Sequence, residues 1–337
     1  MPGYRDPEIE DLPQLVDLCL MQYRIQTHEN TAFPTRAEMR PIIEDAMEHL
    51  ITYGTGLVMF EEEDIDEVYG FMIGYRTGPL FGKDLGMHIP VYGFAMMDYD
   101  SVDFVEMYKR VSLMFVHENV YSHAISLFPV YKEMIDDLFN LGFGKRCVDA
   151  MTKVKKLPAK NLDIEVTEVS LEQLHELRDL HYKHNIFYRQ TPLYMPNKDE
   201  DALKDLTTWI QKENHHIFVA KLLDQVVGYM RIEPRGESVI SFHPSIMNIT
   251  GAFVDPFYRH MHIGHELMRG VMTWLKDHEY VSLGVDYESI NPYANAFWKK
   301  YFKPYTFTLT RRIDERIAEF TDDDLMYALE QIDSTSH

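Results

Sequence analysis

The sequence repeats itself at a distance of almost half its length. Val-Tyr-Gly-Phe-Met at 68–72 returns as Val-Val-Gly-Tyr-Met at 226–230, 158 residues later. Leu-Phe-Asn-Leu-Gly-Phe at 138–143 is echoed by Phe-Trp-Lys-Lys-Tyr-Phe at 297–302, shifted by 159. Both halves open on leucines spaced by three: Leu12, Leu15 and Leu18, then Leu171, Leu174 and Leu177. That spacing places each set on one helical face. A chain that runs twice through the same order of signals is expected to build the same supersecondary unit twice. About 160 residues per copy is an ordinary domain size. The join falls in KVKKLPAKNLD (153–163), basic and poor in apolar residues, which gives domains of 1–158 and 159–337.

Within each copy the period alternates between two and about 3.6. Residues 57–76 read as strand, acidic hairpin, strand, and 217–232 repeat this with a tighter turn. In the second copy strands are expected near 216–222, 226–233, 247–254, 281–287 and 304–312. Helices are expected near 170–185, 199–213, 263–278 and 291–301. Antiparallel hairpins plus one strand–helix–strand crossover make an α/β unit: a mixed, mostly antiparallel sheet flanked by helices. The tail from Asp314 reads as an acidic amphipathic helix with a frayed end.

Composition narrows the function classes. With 45% hydrophobic residues the chain can bury a sizeable core. The formal charge of −21 argues against nucleic acid or an anionic membrane as partner, and weakly favours a cationic one. Two cysteines, Cys19 and Cys147, make neither a spaced metal motif nor a disulfide framework, so a reducing, cytoplasmic setting is expected. There is no apolar run long enough to span a membrane. A monomer and a homodimer are equally compatible with these numbers.

The stretch VDPFYRHMHIGHELM (254–268) carries the chemistry. Pro256 ends the preceding strand. Ile263, Leu267, Val271 and Leu275 then recur at helical spacing, so Arg259–Gly264 lies at a helix N-terminus. Free N–H groups and the positive end of the helix dipole make such a place an anion site. Arg259 adds a charged fork, and Gly264 admits a ligand close to the backbone. Taken alone the turn is equally an ordinary strand-to-helix connection. His260, His262 and His265 do not have zinc-ligand spacing and have no cysteine partner, so no metal is expected.

Together with NPYANAFWKKYF (291–302), the turn resembles the GNAT family of N-acetyltransferases. That family carries V-x-P-x-[YF]-R-x-x-G-x-[GA] between a strand and a helix, matched here by Val254, Pro256, Tyr258, Arg259, His262 and Gly264. Its downstream motif is matched by Asn291, Ala294, Phe297, Trp298, Tyr301 and Phe302. The likeness covers about 163–313 closely and 1–155 in outline. It implies acetyl-CoA as co-substrate and a primary amine on a small molecule or peptide as acceptor. The pyrophosphate cradle would be Arg259, His260, Met261, His262, Ile263, Gly264 and His265. Ala252, Phe253 and Val254 would pair with the pantetheine, assisted by Asn291 and Trp298. Catalytic candidates are Glu233 and Glu288 as bases and Tyr301, which lies three residues round the helix from the family's tyrosine position and would not simply substitute for it. Two positions depart from the pattern. Trp298 stands where the family often has an acidic tyrosine, and an indole cannot supply that proton. His262 replaces the middle glycine, and its backbone serves there if it avoids positive φ.

The first half lacks these parts. Asp100 falls opposite Arg259, Asp103 opposite His262 and Val105 opposite Gly264. Acidic residues at that point repel a pyrophosphate, although they suit the helix that follows. The first half is therefore expected to keep the fold without the acyl-CoA site. A non-catalytic acyl-CoA sensor or interaction scaffold is the competing reading. Phe187, Tyr188, Tyr194 and Met195 are expected to be core or to line an acceptor cleft.

Overall fold

The computed structural model describes residues 2–320 apart from 29, 81, 162, 191 and 197–201. The expected tail helix therefore lies largely outside the described residues. Two compact units are present, and they are not consecutive halves. The first takes 1–28, 36–146 and 306–337; the second takes 29–35 and 147–305. Each unit thus ends on a strand drawn from the other half of the sequence.

In the first unit the strands are β1 (Pro2–Arg5), β2 (Thr55–Glu61), β3 (Asp64–Thr77), β4 (Gly86–Ile89), β5 (Phe94–Met96) and β6 (Ser122–Leu127). Its helices are α1 (Leu12–Thr27), α2 (Arg36–Tyr53), α3 (Ser101–His117) and α4 (Lys132–Asn140). The sheet is antiparallel except where β4 runs parallel to β6. The far edge of β6 is taken by residues 307–312 of the chain's last strand. Leu309 of that strand is fully buried with Phe104, Met107 and Ile125, and this apolar contact is what fixes the strand in the first unit.

The second unit opens on the Cys147–Lys153 part of β7 (Gly144–Lys153). It continues with β8 (Ile164–Glu168), α5 (Arg178–Arg189), α6 (Ala202–Ile210), β9 (His216–Leu222), β10 (Gln225–Glu233) and β11 (Ile246–Val254). Then follow α7 (Ile263–Asp277), β12 (Ser282–Glu288), α8 (Pro292–Trp298) and the start of β13 (Lys303–Arg312). The order across the sheet is β8, β9, β10, β11, β12, β7, with only β11 and β12 parallel. The segment before α2 is held in this unit by Ser282, whose hydroxyl donates to the Ala32 carbonyl at 2.5 Å, and by Phe33 edge-on to Tyr305.

The expected elements of the second copy fall within a few residues of the observed ones, with two exceptions. The helix expected over 170–185 begins as a 3-10 turn, Leu171–Leu177, and becomes α-helical at Arg178. Ser170 and Gln173 form a capping box around the tight start. Leu174 and Leu177 are buried, whereas Leu171 is 49% exposed. Helix α8 stops at Trp298, three residues early. On α7 the predicted stripe is real: Ile263, Leu267, Val271 and Leu275 are each at most 1% exposed.

Two irregularities shape the site. Arg231 pairs with Gly251 but Ile232 pairs with Ile249, so Thr250 is an extra residue, a bulge in β11. The Arg231 guanidinium donates twice to the Thr250 carbonyl that the bulge turns out of the ladder. Strands β11 and β12 pair only as far as Ile249 and Val285, and beyond that their C-terminal ends part.

Candidate functional site

A cavity of about 740 Å³ opens where β11 and β12 part. It is bordered by Thr250–Val254, by Val285–Glu288, by the turn before α7 and by α8. Of the residues singled out from sequence, Ala252, Phe253, Val254, Arg259, His260, His262, Ile263, Gly264, His265, Glu288, Asn291, Trp298 and Tyr301 all border it. Met261 and Glu233 do not. Phe187, Tyr188 and Met195 also line the cavity, whereas Tyr194 is 73% exposed.

The turn is built as an open helix end. No side chain caps α7, so its first N–H groups keep their donors. The contrast with the first unit is direct. There Asp100 caps α3, its carboxylate accepting from Val102 N at 2.8 Å and Asp103 N at 3.1 Å. His262, the residue before α7, lies at φ 65°, ψ 11°. A left-handed conformation is one that histidine tolerates better than most residues and that glycine adopts freely. The histidine thus keeps the backbone shape of a glycine instead of avoiding positive φ. His260 is left-handed as well, at φ 70°.

Gly264 borders the cavity and has a second, packing use. A Cβ there would meet the Phe297 ring at 3.0 Å. Its missing side chain is where α8 packs against α7. Arg259 lies over the Tyr293 ring at 4.4 Å and the Phe187 ring at 5.3 Å, so a cation–π contact to each holds it at the cavity. Asn291 spends its side-chain oxygen on α8, accepting from Tyr293 N and Ala294 N at 3.2 Å each. His265 donates from Nε2 to the Pro158 carbonyl at 2.7 Å, so its Nδ1 accepts from Tyr301 Oη at 2.8 Å. Trp298 is buried, edge-on to Phe302.

The carboxylates show what the sequence did not reveal. Glu233 is bound to His215 Nε2 at 2.7 Å, away from the cavity. Asp286, Glu288 and Glu237 border the cavity instead. Asp286 and Glu288 share one face of β12, and Asp149 of β7 lies directly opposite Asp286. Burial, then Glu237, pushes Asp286 up to about 8. Glu237 is exposed as a whole residue; burial of its carboxyl end and the Glu288 charge hold it above the usual range. Burial, then Asp286, raises Asp149. Carboxylates this close cannot all ionise together, so protons are held among them near neutral pH. The hint in the sequence was Asp286 itself, a charge directly after the apolar Leu283–Val285 of the strand SLGVDYE.

Histidines gather behind β11. His184 borders the cavity and stacks on Phe253 at 4.9 Å. Its Nδ1 and that of His181 both meet the Tyr229 hydroxyl. Among the described residues no group of three His, Cys, Asp or Glu is placed to hold a metal ion. No described helix is long and apolar enough to cross a membrane.

Comparison with known proteins agrees with this layout. Residues 177–302 match the acetyltransferase (GNAT) family. No curated protein sequence matches the chain. Among solved structures the chain is similar to a GCN5-related N-acetyltransferase from Sphaerobacter thermophilus, with TM-score 0.63 and 10% identity over 92% of this chain and 95% of that one. It is also similar to a tandem GNAT protein from the clavulanic acid biosynthesis pathway, with TM-score 0.50 and 11% identity over 93% and 98%. A fungal GCN5-related glucosamine N-acetyltransferase region gives TM-score 0.55 and 10% identity over 92% of this chain and 38% of the other. Residues 177–302 are a domain of the GNAT acetyltransferase family, and the chain as a whole has the GNAT fold.

Proposed function

We propose that the second unit transfers an acetyl group from acetyl-CoA to a primary amine of a cationic small molecule or peptide. One observation carries this: a single cavity joins an uncapped helix end beside Arg259 to a cluster of carboxylates. The first suits the pyrophosphate of an acyl-CoA, the second a substrate ammonium. The parted end of β11, from Ala252 to Val254, offers backbone groups to the pantetheine arm.

Transfer needs an amine held against the thioester and stripped of its proton. Asp286 is the base in this reading, replacing Glu233. At about 8, its carboxyl group is matched to taking a proton from an ammonium near neutral pH. Glu237 and Glu288 hold the remaining charge of the acceptor. The first unit carries no acyl-CoA in this reading, because Asp100 already occupies the N–H groups of its helix.

Thiol release from acetyl-CoA across a panel of polyamines, aminoglycoside-like amines and lysine peptides is the test. Turnover with cationic amines and weaker turnover with neutral ones is expected. CoA binding without turnover on any amine would favour the sensor reading, for which the buried Trp298 at the family's tyrosine position speaks. Arg259→Ala is expected to weaken acetyl-CoA binding by roughly 1.5–3 kcal/mol, the range for a hydrogen bond to a charged group.

A further inference from the structure

We propose that His184, Tyr229, His181 and Asp205 form a proton relay that takes the proton shed by the attacking nitrogen and returns it to the leaving sulfur. The inference rests on the acyl-transfer reading above.

The four groups make one unbroken chain. His184 Nδ1 lies 2.6 Å from Tyr229 Oη, Tyr229 Oη 2.8 Å from His181 Nδ1, and His181 Nε2 2.9 Å from Asp205 Oδ2. Tyr229, His181 and His184 are buried, whereas the Asp205 side chain is 45% exposed. The chain therefore runs from the cavity wall to the surface. Its direction follows from the donors. A carboxylate only accepts, so His181 carries its proton on Nε2. A neutral His181 then has a lone pair on Nδ1, which takes the Tyr229 hydroxyl proton. The Tyr229 oxygen accepts in turn from Nδ1–H of His184. That leaves a lone pair on His184 Nε2, which has no partner among the described residues. Burial holds both imidazoles below their ordinary value, His184 at about 3, which agrees with neutral rings.

The surface aspartate thus fixes, through three hydrogen bonds, a base at the cavity wall. His184 stacks on Phe253, on the strand assigned to the pantetheine arm. When the nitrogen attacks, the C–N bond forms and its excess proton passes to His184 Nε2. Nδ1–H moves to Tyr229, the hydroxyl proton to His181 Nδ1, and Nε2–H to Asp205. No buried charge is created, since each ring loses a proton as it gains one. When the C–S bond breaks, its electron pair stays on sulfur. The relay then runs back, and His184 Nε2 gives the proton to the thiolate. Every group returns to its starting state. Such a relay supplies the acid that Trp298 cannot.

The test uses the full chain. Histidine 15N NMR of the wild type is expected to show His184 protonated on Nδ1 and His181 on Nε2. Asp205→Asn and Tyr229→Phe are expected to lower kcat for acetyl transfer about 100-fold, in the range for general acid–base groups. The KM for acetyl-CoA should stay within about twofold, and Asp205→Glu should restore most of kcat. Asp205 is at the surface, so its variants report even if Tyr229→Phe does not fold. His184 protonated on Nε2, or an unchanged kcat in Asp205→Asn, overturns the relay alone. A wild type that binds CoA and acetylates no amine overturns the acyl-transfer reading, and the relay's role with it.

Discussion

Tyr301 donates its hydroxyl proton to Nδ1 of His265 over 2.8 Å, and His265 is anchored in turn on the Pro158 carbonyl. The pair ties the turn that follows α8 and the N-terminus of α7 to the segment that precedes β8. Burial, then the Glu266 charge, raises the tyrosine further, so it keeps its proton. Tyr301→Phe is expected to cost about 1 kcal/mol of stability, the worth of one hydrogen bond. It should leave kcat within about threefold, far below a general acid's contribution. Thermal unfolding and steady-state rates on the same sample check both. A hundredfold loss of kcat would return Tyr301 to the reaction.

Asp286 gives the chain a pH signature. Its carboxyl is held at about 8 in the folded protein, against about 4 for an unfolded chain. Between those values the folded state keeps a proton that the unfolded state has lost. Stability from this group is therefore present at low pH and is lost as pH rises towards 8. The melting temperature is expected to fall as pH rises from about 4 to about 8 and to level off above that, and Asp286→Asn should flatten that slope. Activity should move the other way, rising as the carboxylate forms. The same variant should lower kcat/KM by about 100-fold or more.

Glu233 serves as the control carboxylate. It is paired with His215 outside the cavity. Glu233→Gln should change kcat/KM by less than about twofold, because an exchange outside the site removes no general base. An effect as large as that of Asp286→Asn would reverse the two assignments.

His262 pays for its left-handed backbone. An L-residue at φ 65° costs about 1 kcal/mol that glycine avoids. His262→Gly is expected to raise the melting temperature, with acetyl-CoA affinity kept within about threefold because the backbone donors stay in place. A tenfold loss of affinity would assign the imidazole a direct part in holding phosphate.

Gly264→Ala tests the contact between the two motifs. The added methyl would stand 3.0 Å from the Phe297 ring and push α8 off α7. A cost of about 1–3 kcal/mol is expected for overpacking of this kind. Acetyl-CoA affinity should fall with it, since α8 presents Asn291 and Tyr293 to the cavity. Calorimetry with CoA separates the two effects.

Much was legible before any coordinates. The repeat, the strand–turn–helix around Arg259 and the stripe Ile263, Leu267, Val271 and Leu275 are local signals, written in spacings of two to four residues. So was the contrast between the two helix starts, where Asp100 stands in the place of Arg259 and caps α3. The same locality explains what was missed. That Gly264 also makes room for Phe297, 33 positions on, is not a local fact. Glu233 and Asp286 are equally plain carboxylates in the sequence. Only packing tells which meets His215 and which meets Glu237.

By itself the sequence determined the unit, its duplication and the strand–turn–helix around Arg259, because short-range periodicity and turn chemistry dictate those. Tertiary structure alone decided the rest. It placed 306–312 in the first unit and 147–153 in the second, because a strand goes wherever its apolar face finds a core. It gathered Asp149, Glu237 and Asp286 from three distant segments, and the desolvation and mutual repulsion of their carboxyl groups, not their identity, set where their protons sit.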